Sequence, residues 1–317
     1  MMKKNFRLLF VLFLTINLNV IAQQLHDFTQ FPAVLFHINP AYTGTKGTLD
    51  ARLSYRKQWT GFSGAPTTQF VGMHGRFWKG RIGVGSSLYK DELGPIRMFD
   101  YGFTAAYHIH FPDVEFSAGI GIRFNKLTMN SSGMTTHWEG DPAVTPGVTT
   151  FAKSKNALAG MMLYNDRFHF GLGVMNIISN QIALGGIGAT IKNKQHYFLN
   201  FGYNFHGHPY YVWENNLMGE YVDGLPMTIN YNLRVHYREK LSVGAGWRLK
   251  DAVYLQAGWV LFRSVQVAYS YDFGISKLRK GHNGTHEVTL AYRYDYEKKK
   301  GKYNNFNTFQ RQRYNIF

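Results

Sequence analysis

The sequence predicts an all-β chain closed into a transmembrane antiparallel β-barrel of about fourteen strands, with both mature termini periplasmic. Three observations carry this: a period-two alternation of apolar and polar residues that recurs along the chain, a leader peptide in front of it, and an alternation of short and long connections.

The alternation is clearest over residues 227–239. Ile229, Tyr231, Leu233, Val235 and Tyr237 interleave with Thr228, Asn230, Asn232, Arg234, His236 and Arg238. A period of two puts the first set on one face of a strand and the second on the other. The same beat recurs late in the chain, where Val265, Val267, Tyr269, Tyr271 and Phe273 oppose Gln266, Ser270 and Asp272. Val288, Leu290, Tyr292 and Tyr294 likewise oppose Glu287, Thr289, Arg293 and Asp295. An apolar face turned to lipid and a polar face turned to a lumen satisfy both sides of such a strand. Inward polar positions such as Arg52, Arg56, Arg234, Arg238 and Arg248 then favour an anionic or hydrogen-bonding interior.

Residues 1–22 have a basic start (Lys3, Lys4, Arg7), an apolar run from Leu8 to Leu18 and a small residue, Ala22, at a plausible cleavage point, and read as a secretory signal peptide. Asn17 and Asn19 interrupt the run short of the roughly 20 residues a spanning helix needs. No later run is long enough, so membrane insertion requires strands. Residues 23–48 precede the strand rhythm and are expected either in the lumen or against the periplasmic rim. The barrel itself is expected over 49–296, and 297–317, opening with Glu297-Lys298-Lys299-Lys300, reads as a basic exposed tail.

Strands are expected at 49–59, 67–78, 81–90, 98–110, 114–125, 156–165, 168–176, 194–206, 210–222, 227–238, 240–249, 252–262, 264–274 and 285–296. Connections after the second, fourth, sixth and eighth are short: 79–80, 111–113, 165–167 and 206–209. Those after odd strands include 60–66, 91–97, 126–155, 177–193 and 275–284, with 223–226 and 250–251 as short exceptions. Outer-membrane barrels pair short periplasmic turns with longer outside loops, whereas a soluble sandwich has no reason to segregate them.

Zero cysteine excludes disulfides, thiolate nucleophiles and cysteine metal sites. The net charge of +16 comes from cations spread through strands and loops, without a basic helix or base-stacking motif, so lipid phosphate, an acidic partner or a polar lumen fits better than nucleic acid. Phosphate-loop, HExxH, GxSxG and EF-hand patterns are all missing. The i, i+2 pairs His108/His110 and His206/His208 share a strand face that two imidazoles need to hold a metal, but no carboxylate cluster accompanies them and they read as interface polar residues. His137, Glu139 and Asp141 form a similarly weak cation candidate. No catalytic residue, cofactor or metal is expected.

A specific set of residues adds to this reading. Asn39-Pro40-Ala41-Tyr42-Thr43-Gly44, then Tyr55-Arg56-Lys57-Gln58-Trp59-Thr60-Gly61-Phe62 and Gly64-Ala65-Pro66, resemble the opening of the PorP/SprF family of type IX secretion proteins. Gly83-Val84-Gly85, Asp91 to Pro95, Asp141-Pro142-Ala143, Tyr271-Asp272-Phe273, Ser276 to Arg279 and His286-Glu287 follow in the same order as in that family. The tail beyond Tyr296 and the 126–155 loop depart from it. The resemblance implies an integral outer-membrane protein of the type IX secretion and gliding machinery of Bacteroidota. It also implies partners: the C-terminal domain of a secreted surface protein such as an adhesin, other secretion components, and outer-membrane lipid.

Candidate partner-binding or motif residues are Asn39, Pro40, Tyr42, Gly44, Arg56, Trp59, Gly61, Phe62, Gly94 and Pro95. They also have plain physical roles: Pro40 and Gly44 turn the chain before the first strand, and Trp59 and Phe62 suit a membrane interface. The expected function is a noncatalytic barrel that exports or anchors the secreted partner. The alternative is a porin-like channel or transporter, since about fourteen strands approach the width that leaves an aqueous lumen.

Overall fold

The computed structural model describes residues 28–46, 49–132, 147–178, 181–183, 190–262, 264–276, 279 and 281–294, with the backbone alone for 181–183 and 190–192. Fourteen antiparallel strands close into a barrel: β1 (Leu49–Lys57), β2 (Thr67–Phe77), β3 (Ile82–Leu93), β4 (Ile96–His110), β5 (Glu115–Asn130), β6 (Thr149–Tyr164), β7 (Phe168–Met175), β10 (His196–His208), β11 (Tyr211–Val222), β12 (Thr228–Tyr237), β13 (Leu241–Arg248), β14 (Ala252–Leu261), β15 (Val265–Gly274) and β16 (Thr285–Tyr294). A separate hairpin, β8 (Gln181–Ala183) with β9 (Thr190–Lys192), lies in the connection between β7 and β10. Closure comes from β1 pairing with β16, from Leu49 opposite Tyr294 to Lys57 opposite His286. No helix among the described residues is long and apolar enough to cross a membrane.

Strand faces follow the alternation. Asn230, Asn232, Arg234 and His236 are buried inside, while their neighbours Ile229, Tyr231, Leu233, Val235 and Tyr237 are partly exposed on the outside. Outward Leu53, Val71, Leu88, Phe103, Ile120, Phe201, Val243, Leu255 and Leu290 form an exposed apolar band around the barrel. That exposure would be costly in water and is suited to lipid. Arg52, Arg56, Arg234 and Arg248 point inward and are buried as expected, but Arg238 does not. It lies in the turn after β12 with φ 50°, where its guanidinium stacks 4.8 Å from Tyr210 and 5.3 Å from Tyr237. The strand has ended by then, and a turn residue no longer inherits the strand's face.

Several strands outrun their expected ends. β5 continues to Asn130 and β6 begins at Thr149, so the expected 126–155 loop is largely ladder, and residues 133–146 fall outside the described set. β3 and β4 likewise approach to a two-residue turn, Gly94-Pro95. In these extensions polar residues such as Lys126 and Thr128 occupy the outer face, so the apolar alternation stops although the hydrogen-bonded ladder does not.

Short turns and long connections do segregate to opposite rims. One rim carries 78–81, 111–114, 165–167, 209–210, 238–240 and 262–264, and the other carries 58–66, 131–148, 176–195 and 275–284 together with the tight turns 94–95 and 249–251. β1 starts and β16 ends at the short-turn rim, whereas Thr29 lies near the opposite rim, beside Arg56, Asp272 and Glu287. The location of both mature termini turns on residues 23–27 and 297–317, which lie outside the described residues, as does the expected signal peptide.

Candidate functional site

The lumen is filled by the chain's own beginning. Every residue of 28–44 is buried, and its contacts are with inward-facing residues of the wall. The segment descends from the long-loop rim to the short-turn rim through a 3-10 turn (Phe31–Ala33), one turn of α-helix (Leu35–Ile38) and a second 3-10 turn (Pro40–Tyr42). Prolines at the start of both 3-10 turns fit positions where no N–H is required. Asn39 caps the last turn, its side-chain oxygen accepting from the Ala41 N–H at 3.0 Å.

One side of the wall is built to receive this plug. Phe70, Tyr89, Leu158, Met162, Met175, Phe198 and Met218 bury against Phe28, Phe31, Leu35, Phe36 and Ile38. Phe28 meets the Phe70 ring edge-on at 5.9 Å, and His37 stacks on Tyr89 at 5.3 Å. Beneath the second 3-10 turn the wall is stripped to glycine. A methyl group at Gly83 would overlap the Thr43 carbonyl, one at Gly119 would overlap Pro40, and one at Gly160 would overlap the Asn39 amide. At Gly171 it would lie 2.9 Å from Asn39 Nδ2 and at Gly173 3.1 Å from the Ile38 carbonyl oxygen. These glycines form a seam across β3, β5, β6 and β7 against which the plug lies directly, through its backbone at Gly83, Gly119 and Gly173 and through the Asn39 amide at Gly160 and Gly171.

Two polar latches hold the ends. At the long-loop rim, Glu287 accepts from the backbone N–H of Thr29 at 2.7 Å and of Gln30 at 3.0 Å. Thr29 Oγ1 donates to Asp272 at 2.8 Å, and Arg56 binds Asp272, Glu287 and Thr29 together. At the short-turn rim, Arg76 donates to the Gly44 carbonyl at 2.7 Å and to Glu115 at 2.8 Å, and reaches His108 and Tyr164. The Gly44 N–H donates to His74 Nδ1 at 3.1 Å, and Gly44 takes φ 83°, a conformation glycine adopts without strain. His108 is thus a plug contact, with Nε2 2.9 Å from the Thr43 carbonyl oxygen. Its neighbour His110 faces Glu115 at 3.3 Å. No group of three or more His, Cys, Asp or Glu with metal-holding geometry occurs among the described residues, and 137–141 lie outside them.

The remaining wall is polar and only partly paired internally, since both side-chain atoms of Asn156 and the Ser270 hydroxyl are buried without a hydrogen-bond partner among the described residues. Arg52 grips Asp50, Arg293 adds a second contact to the same carboxylate at 3.0 Å, and Glu214 meets His236 at 2.7 Å and Asn216 at 2.9 Å. Arg234 donates to Gln256 at 2.8 Å and Tyr254 to Asn230 at 2.8 Å. With these side chains and the plug in place, the inward residues are buried and the lumen is occupied.

The candidate motif residues divide into two groups. Asn39, Pro40, Tyr42, Gly44 and Arg56 are interior, belonging to the plug and its latches. Trp59, Gly61, Phe62, Gly94 and Pro95 lie on the long-loop rim, in connections stitched to one another. Thr60 N–H donates to the Gly284 carbonyl at 2.9 Å and Asn283 N–H to Thr60 at 2.7 Å; Gly94 N–H donates to Gly64 at 3.0 Å and Asn130 N–H to Pro95 at 3.0 Å. Gly61, Gly64 and Gly94 all have positive φ, which explains their type. Trp59 is half-buried beside His282, and Phe62 is 60% exposed. Missed from sequence were the latch partners Asp272, Glu115 and Tyr164 and the glycine seam, which was signalled by glycine at alternate inward positions (Gly83, Gly85; Gly119, Gly121; Gly171, Gly173).

A closed antiparallel barrel with an apolar outer band and a plugged polar interior defines an integral outer-membrane β-barrel protein. The chain belongs to the type IX secretion system membrane protein PorP/SprF family, whose model matches residues 20–292. No curated protein matches it. Among solved structures it is similar to a Pseudomonas aeruginosa FadL homologue, with TM-score 0.51 and 13% identity over 81% of this chain and 93% of that one. It is also similar to the Acinetobacter baumannii outer membrane protein Omp33, with TM-score 0.48 and 8% identity over 78% of this chain and 98% of that one. The first of these shows the shared barrel fold.

Proposed function

We propose that this protein is a noncatalytic component of the type IX secretion machinery that binds the C-terminal domain of a secreted surface protein at its long-loop rim and helps export or anchor it. The reading takes the long-loop rim as the outer face, since longer connections characterise that side of outer-membrane barrels. The observation that carries it is the occupied lumen: with 28–44 latched at both ends, the surface left for a large partner is the rim. There the stitched loops hold Phe62 outward on a fixed backbone, an aromatic anchor of the kind that dominates protein interfaces. The alternative of a small-solute channel requires an aqueous path past the plug, and the burial of 28–44 along its whole length favours the anchor reading over it.

The test is mass spectrometry of what copurifies with the tagged full-length protein after gentle extraction from native outer membranes. A stoichiometric secreted protein, lost on deletion of its C-terminal domain and reduced by Phe62→Ala, is the expected result. Recovery of the barrel alone from cells expressing the partner, together with solute conductance in planar bilayers, would overturn it in favour of the channel.

A further inference from the structure

A row of residues across four adjacent strands on the outside of the barrel carries cations on three of them. Lys90 on β3 stands opposite Phe99 on β4, Phe99 opposite Lys126 on β5, and Lys126 opposite Lys153 on β6. Lys155 follows on the same face of β6, opposite Phe124. Like charges placed directly across a ladder repel, and Lys126 and Lys153 have no carboxylate partner among the described residues. Lys90, at the end of the row, is paired with Glu92 at 3.1 Å.

The position of the row matters as much as its charge. Below it the outer face is apolar, with Phe103, Ile122 and Ile120 exposed by 55%, 44% and 70%. The boundary is aromatic: Tyr101 stacks on Phe124 at 4.9 Å, Lys126 sits 5.6 Å over the Phe151 ring, and Lys155 sits 6.0 Å over Phe124. One pleat repeat, about 7 Å of strand, separates Phe124 from Lys126. Aromatics mark the level where hydrocarbon gives way to headgroups, so the ammonium groups stand at headgroup height, against lipid rather than in open solvent.

We propose that Lys126, Lys153 and Lys155, seated on Phe124 and Phe151, bind the phosphate of a phosphorylated glycolipid of the outer leaflet. The choice of leaflet rests on the long-loop rim facing outward; the charge and its height do not. A phosphate between the two opposed lysines converts their repulsion into two charge-assisted contacts, and the aromatic rings below offer acyl chains a flat surface.

Native mass spectrometry of the full-length protein in mild detergent tests this, with four probes titrated separately: phosphorylated glycolipid, the same glycolipid after phosphatase treatment, an anionic phospholipid, and inorganic phosphate. Lys126→Gln/Lys153→Gln/Lys155→Gln is expected to weaken binding of the phosphorylated glycolipid on the order of tenfold or more. The corresponding triple Arg variant and Lys240→Gln at the short-turn rim are expected to keep it. Heat-modifiable gel mobility establishes that each variant is a folded barrel. Unchanged binding by the triple Gln variant, or equal binding of the dephosphorylated glycolipid, would sink the site. Preference for the phospholipid would overturn the outer-leaflet assignment, and competition by inorganic phosphate at matching concentration would reduce the row to a general anion patch.

Discussion

Arg56 and Glu287 are direct cross-strand partners on β1 and β16, joined at 3.1 Å with 1% of either side chain exposed. Glu287 also accepts the backbone N–H groups of Thr29 and Gln30 in the plug, so one carboxylate serves both the barrel seam and its contents. Glu287→Ala leaves both N–H groups without their acceptor and Arg56 with Asp272 as its remaining carboxylate, a loss of about 1–3 kcal/mol for each buried donor left unsatisfied. The expected outcome is a loosened plug. In a chain with no native cysteine, Ala33→Cys gives a single thiol that is buried in the plug. Maleimide labelling of that thiol should be slow in the parent and faster in the Glu287→Ala background; equal rates would contradict the latch.

The glycine seam makes a separate expectation. Gly119→Val places side-chain atoms where Pro40 lies, and Gly160→Leu does so at Asn39. Overpacking of this kind costs about 1–3 kcal/mol, and the strand ladders themselves need not break. The same Ala33→Cys labelling should accelerate while heat-modifiable mobility persists. Gly219→Ala meets only the flexible end of Met227, at 3.2 Å, and should leave labelling unchanged.

Facing can be read from adjacent positions of β12. Leu233→Arg puts a charge on the lipid side and should cost about 2–4 kcal/mol near the midplane. Arg234→Leu instead removes the hydrogen bond to Gln256 in the lumen, about 1–3 kcal/mol for the partner left behind. Urea titrations of refolding into vesicles separate the two, and the folded Leu233→Arg barrel should be the less stable.

Conductance gives the fourth expectation. The intact barrel should be silent in planar bilayers, and deletion of 28–44 should yield discrete steps, because the plug and not the wall closes the glycine-lined side. Steps of equal size from both proteins would mean that the plug does not seal the lumen.

The strands were legible because their two faces meet different solvents: Leu233 and Arg234 differ in chemistry because one meets lipid and the other the lumen. Where the outer face carries polar residues, as at Lys126 and Thr128, that contrast disappears, and the expected strand ends fall several residues short. The plug was harder. Phe31 to Ile38 is apolar without period two, so it announces burial but not against what, and the outcome depends on Gly83, Gly119 and Gly160, far away in the chain. Arg56 was legible as an inward residue, yet its partners Asp272 and Glu287 lie more than two hundred residues later and no local spacing links them. The rim was the more readable part, since Gly61, Gly64 and Gly94 fall in connections as their sequence positions suggest, and all three take positive φ there.

The latch at Thr29 draws one group from the first strand, Arg56, and two from the last strands, Asp272 and Glu287. The order of assembly is therefore constrained. Zipping β1 to β16 without the N-terminal segment inside would still pair Arg56 with Asp272 and Glu287 but leave out the Thr29 and Gln30 N–H contacts, so an empty cylinder should close less stably than a filled one. The N-terminal segment thus acts as a template on which the last strands settle, and the wall is best stabilised around an occupied interior.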